Sequence, residues 1–98
     1  MIKHHFTAGI YIREDELRAQ HSVETHKHNY DHLGILGSGR AAVELDRHVT
    51  VYEGPCVVEI KAGKEHRITA LTDITWFCVH ATSETDPDKI DRVLIKGG

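Results

Sequence analysis

Nine of the 98 residues are histidine. Three of them, His26, His28 and His32, fall in the single stretch THKHNYDHLGILGSG. In extended backbone successive side chains point to opposite faces, so His26 and His28 share a face while Lys27 points away, and His32 has the same parity. Neutral imidazole suits zinc, copper, iron and nickel and binds zinc at about 2.0 to 2.1 Å. Rings two apart on one strand are close enough to converge on one ion. A further ligand has to come from a neighbouring strand, and His66 is placed for it, because a glycine turn in KAGKEHRITA leads straight into an alternating run. Burying four imidazoles without a cation would leave their nitrogens to be satisfied in a low dielectric. The residues therefore predict one site for a divalent transition metal, zinc, iron, nickel or copper, held by His26, His28, His32 and His66. His4 and His5 near the start, His48 in a turn and His80, each taken singly, fit ordinary exposed or structural roles.

The elements that must position these ligands read as β. The runs FTAGIYI, AAVELD, HVTVYE, CVVEI, HRITA and ITWFCVH alternate with period two and are rich in β-branched and aromatic residues. Turn formers in GSGR, LDRH, EGP, KAGKE and LTD separate them at intervals that suit an antiparallel sandwich or barrel. The charged stretch REDELRAQ fits a loop or an edge strand, and its residues do not decide between them. Near the end, SETDPDKIDRVLIKGG offers capping residues, Pro87 for a first helical turn, and Ile90, Val93 and Leu94 at helical spacing, which predicts a short helix over about 86–95.

A formal charge of −3 with 28% charged residues gives no broad basic field, so nucleic acid is not an expected partner. No apolar run approaches the ~20 residues that span a bilayer, and the start carries no signal-peptide pattern, so the expectation is a cytoplasmic protein with no membrane partner. Cys56 and Cys78 sit within apolar runs and read as buried reduced thiols.

The paired segments resemble the two sequence motifs of the cupins. The first motif has two histidines one residue apart, a carboxylate three or four residues on, then six residues and a glycine; His26, His28, His32 and Gly39 occupy these positions. The second has a glycine, two residues and a histidine, matched by Gly63 and His66. The resemblance covers about residues 20–80. It implies an all-β, single-domain cupin barrel or jelly roll over 1–98, with the C-terminal helix appended. Such proteins commonly pair, so a homodimer is implied, with FTAGIYI adding to a partner's sheet. The sequence also departs from the motifs. His32 stands at the carboxylate position, Gln20 where a glycine is expected, Lys61 where a proline is, and Ala70 where an asparagine is.

With His32 in place of a carboxylate, the ligand set carries no negative charge, and a divalent ion keeps nearly its full charge inside the barrel. Such a centre favours an oxygenated or anionic small molecule. Two readings stay open. One is an enzyme, a dioxygenase, lyase or isomerase, with Tyr30 and Glu59 as candidate catalytic proton carriers and Trp76 and Phe77 near the pocket mouth. The other is a non-catalytic binding or structural module stapled by its metal, as a closed tetrahedral shell would give.

Overall fold

A computed structural model of the chain describes residues 1–23, 31–82, 85–86 and 88–89. Among these the chain forms β1 (Ile2–Thr7), β2 (Ile10–Leu17), β3 (Ser22–Val23), β4 (His32–Ser38), β5 (Arg40–Leu45), β6 (His48–Glu53), β7 (Cys56–Ile60), β8 (His66–Ala70) and β9 (Ile74–Ala81). A five-stranded sheet has the order β1-β2-β9-β4-β7 and a four-stranded sheet the order β3-β8-β5-β6. The strand pairs are antiparallel throughout. Every connection except β1–β2 and β5–β6 passes from one sheet to the other.

Period-two burial explains why these segments are strands. Leu36 of β4, Val58 and Ile60 of β7, and Ile74 and Trp76 of β9 face Ala41 and Val43 of β5 and Ile68 and Ala70 of β8 in one buried cluster. Burying each of the larger aliphatic side chains stabilises the fold by roughly 1.5 to 3 kcal/mol. The Trp76 indole lies across Gly34, where an added Cβ would collide with its ring. The β4–β5 turn depends on Gly39, whose φ of 85° is left-handed and whose Cβ would strike the Asp73 carbonyl. The Gly39 carbonyl accepts from the Gly54 amide at 2.8 Å, so this turn is tied to the β6–β7 turn.

Two expectations are corrected. FTAGIYI is two strands, because Ala8 and Gly9 take positive φ (29° and 79°) and turn the chain between Thr7 and Ile10. REDELRAQ contributes to β2, which is paired on both sides by β1 and β9; the charged residues Arg13 and Asp15 share its inward parity with Tyr11, which masked the strand's apolar alternation. Of the helix expected over 86–95, no helix is seen among the described residues. Asp86, Asp88 and Lys89 hold a turn, with the Asp88 amide donating to Asp86 Oδ1 at 2.9 Å and the Lys89 amide to the Asp86 carbonyl at 3.0 Å. The remaining positions of that stretch lie outside the described residues. No helix among the described residues is long and apolar enough to cross a membrane.

Candidate metal centre

The inward-facing positions change character toward one end of the interior. On β4 the alternation that buries Leu36 also buries His32, and on β8 the alternation that buries Ile68 buries His66. On β9 the inward series Ile74, Trp76 continues through Cys78 to His80. His32, His66 and His80 are 5%, 4% and 3% exposed. The His32 and His66 rings, from opposite sheets, are 6.1 Å apart edge to face, and the His32 and His80 rings, on paired strands, stack at 4.3 Å. A ligating ring centres about 3.2 Å from its ion when the nitrogen lies at 2.0 to 2.1 Å, so rings up to roughly 6.4 Å apart can share one ion. Both separations satisfy that bound.

The segments carrying these rings are held in place by carboxylates. Asp31, immediately before His32, accepts the Ala62 amide at 2.8 Å through Oδ1, joining the start of β4 to the loop that enters β8. The Asp46 amide donates to the Glu65 carbonyl at 3.1 Å, and Lys64 Nζ donates to Asp46 Oδ2 at 3.0 Å, fixing the residues just before His66.

Around the rings lies a polar lining from β2 and β9. Tyr11, 1% exposed, stands opposite His80 in the sheet. Its hydroxyl hydrogen-bonds His4 Nδ1 at 2.6 Å, and its ring stacks on Phe6 at 4.8 Å. Cys78 is reached by the Trp76 indole N–H, which donates to Sγ at 3.2 Å. Burial pushes the Cys78 thiol up to about 11, against opposing pulls from that N–H and from Arg13, so the uncoordinated side chain is a neutral thiol at neutral pH. Arg13 stands opposite Cys78, with its Nε 3.3 Å from Asp15 Oδ2. Asp15 is itself raised above the usual aspartate range, chiefly by burial, with Arg13 opposing.

Of the residues singled out from the sequence, His32 and His66 come together. His26, His28 and Tyr30 lie outside the described residues. Glu59 sits on the outer face of β7, half exposed, with its Oε1 3.0 Å from Lys61 Nζ, directed away from the histidines. Trp76 is buried, whereas Phe77 has the opposite parity. His80, Cys78 and Tyr11 were not picked out as site residues. Parity contained the signal for two of them, since any assignment of Trp76 to the interior carries Cys78 and His80 with it. His4 and His48 are exposed.

A surface depression of about 740 Å³ is at the other end of the strands, lined in part by Leu17, Ser38, Asp73 and Ile74. It is an open hollow, lined by none of His32, His66, Cys78 or His80.

Solved structures with this arrangement of strands agree on what it is. A cupin 2 domain-containing protein from Halorhodospira halophila superposes with a TM-score of 0.75 at 18% identity, over 94% of this chain and 73% of the other. An RmlC-like cupin family protein with a double-stranded β-helix fold, from Methanocaldococcus jannaschii, gives 0.74 at 17% identity over 93% and 84%. This chain has the cupin fold. A cupin superfamily protein from Desulfitobacterium hafniense gives 0.73 at 15% identity over 85% and 79%. No protein-family model and no curated protein matches the sequence. Of the residues that resemble the two cupin motifs, those described are His32 opening β4, Gly39 in its left-handed turn, Gly63 with φ of 74° in the β7–β8 loop, and His66 opening β8.

Proposed function

We propose that this cupin binds a divalent transition-metal ion at the histidine end of its interior and uses it to capture an oxygenated or anionic small molecule. The observation that carries the reading is the meeting of His32 and His66, two buried imidazoles from opposite sheets, 6.1 Å apart. His26 and His28 complete the proposed ligand set, and zinc, iron, nickel and copper all suit it. When bound, such an ion supplies Lewis acidity toward an oxygen of the ligand. The chain's own contribution is to hold imidazoles rather than carboxylates, which leaves the site's positive charge for an anion, and to keep the ring end within walls that exclude water.

Two forms of this function differ in chemistry. An enzyme, a dioxygenase, lyase or isomerase, needs a proton carrier at the bound molecule, the part proposed for Tyr30. Glu59 does not favour that form, since its carboxylate faces outward against Lys61. Its placement supports the alternative, a non-catalytic module stapled by its metal. Either form is proposed as a cytoplasmic homodimer in which the edge strand β1 extends a partner's sheet, which light scattering tests directly.

The central test is elemental analysis of the purified chain. About one transition-metal ion per chain is expected, and His32→Ala and His66→Ala should each remove most of it. Unchanged metal content in both variants would reject the site. Protons compete for imidazole, whose ordinary pKa is about 6.5, so loading should also decline below that pH.

A further inference from the structure

We propose that Cys78 and His80 are ligands of the same ion as His32, and that the site is consequently selective for a thiophilic divalent metal such as zinc(II) over hard divalent cations. This rests on the reading of His32 as a ligand given above and places Cys78 and His80, two residues outside both cupin motifs, in the shell instead of His26 and His28; with one thiolate the ion keeps a single net positive charge, and a fifth position stays open for the captured molecule.

Strand register brings the three side chains together. β4 and β9 pair with Leu33 opposite Val79 and Gly34 opposite Cys78. His80, one step beyond Val79, therefore faces the same side of the sheet as His32, and Cys78 is the next inward position from His80. The donor atoms of His32, Cys78 and His80 lie within 4.8 Å of one another. Tetrahedral coordination by imidazole and thiolate needs donor separations of about 3.3 to 3.6 Å, so little more than an ångström of side-chain motion assembles the set. The stacking of the His32 and His80 rings, at 4.3 Å and 27°, means that part of this motion is a rotation about χ2. Glycine at position 34 leaves the sheet without a side chain opposite Cys78, and the space is taken by the Trp76 ring.

Chemistry favours an ion at this trio over its use as packing. All three donors belong to the types that bind soft and borderline metals, and they converge beside a cluster of aliphatic residues and Trp76. A thiolate among imidazoles moves the metal preference toward zinc and away from magnesium, calcium and manganese, which take oxygen donors. Coordination is balanced as a proton release: the Cys78 S–H bond breaks, the sulfur electron pair forms the metal–sulfur bond, and the proton leaves to buffer.

The experiment is cobalt(II) titration of the full chain, followed by absorption and by X-ray absorption at the cobalt edge. The expected result is an intense near-ultraviolet thiolate-to-cobalt charge-transfer band, with a sulfur neighbour at about 2.3 Å. The band should vanish in Cys78→Ser, persist in Cys56→Ser, and be accompanied in Cys78→Ser and His80→Ala by at least roughly 10- to 100-fold weaker binding, the loss that outer-shell partners alone produce. Cobalt bound with only nitrogen and oxygen neighbours and no band would overturn the inference while leaving the metal-binding function intact. Failure of the unmodified chain to bind cobalt or zinc would overturn both. Because the X-ray measurement uses the unmodified protein, a variant that fails to fold does not blunt the test.

Discussion

The two ends of the interior are built from the same strands with the same parity, yet they are filled by opposite kinds of side chain. Along β9 the inward positions run Ile74, Trp76, Cys78, His80; along β4, read backwards, they run Leu36, Gly34, His32; along β8, Ala70, Ile68, His66. In each strand the apolar members lie toward one end and the imidazole stands at the other. The apolar end removes hydrocarbon from water and supplies the driving force for folding. At the histidine end polar rings are buried, which removes less hydrocarbon from water than the apolar end does. Folding and binding should therefore respond to different mutations, although the ends are only a few residues apart along each strand.

The largest test of this division is Trp76→Ala in metal-free protein. Trp76 is 1% exposed and packs in the central cluster, so truncation should destabilise by about 3 to 5 kcal/mol, read from urea unfolding. A change below about 1 kcal/mol would mean that the apolar end is not the folding core. Next comes linkage at the other end. With zinc at 100 times its dissociation constant the unmodified chain should gain about 2.7 kcal/mol. His32→Ala should gain almost none at the same zinc concentration. His21→Ala, whose exposed side chain lines the depression at the opposite end, should keep the full gain. Equal gains in all three proteins would detach metal binding from the buried rings.

Much of this division is written in period-two alternation, which is why five of the six β runs read from sequence match single strands. Alternation fixes which face a side chain takes, and turn formers fix where strands stop; both are local. It failed at β2, where Tyr11, Arg13 and Asp15 place a hydroxyl, a guanidinium and a carboxylate on the inward face, and at Ala8-Gly9, where a tight turn interrupts a run that looks continuous. The site was legible in part for the same reason. His32 and His66 stand out by their spacing from Gly39 and Gly63, positions where left-handed backbone requires or favours glycine. His80 and Cys78 have no such marker. Their role depends on pairing between β4 and β9, a contact across more than forty residues that local patterns do not encode.

Gly34 is the point at which the two ends meet, and Gly34→Ala sharpens the boundary between them. The added methyl would run into the Trp76 ring on one of the central strands. Overpacking of this kind costs about 1 to 3 kcal/mol, so the denaturation midpoint of metal-free protein should fall accordingly. If the indole shifts toward Cys78 to make room, the charge-transfer band of the cobalt protein should change as well. A variant as stable as the parent would show that the Trp76 ring has room to move and that the interior here is loosely filled.

The smallest effect belongs to Asp15, the buried carboxylate on β2 opposite Trp76. Burial raises its pKa, opposed by Arg13, by the Met1 amino group and by His4. A carboxyl raised in the folded state binds more protons there than in the unfolded chain. Its stabilising contribution is therefore complete below the ordinary value of 3.8 and is lost as pH rises through the folded value. Asp15→Asn imitates the protonated form and cannot undergo that loss. Subtracting the variant's stability from the parent's at each pH removes the shared contribution of the surface carboxylates, and the difference should fall as pH increases from about 3.8. A difference that rises with pH would mean that the Arg13 guanidinium, 3.3 Å away, outweighs desolvation. In that case the polar lining of β2 would be a stabilising ion pair, and the contrast between the two ends of the interior would be drawn too sharply on that strand.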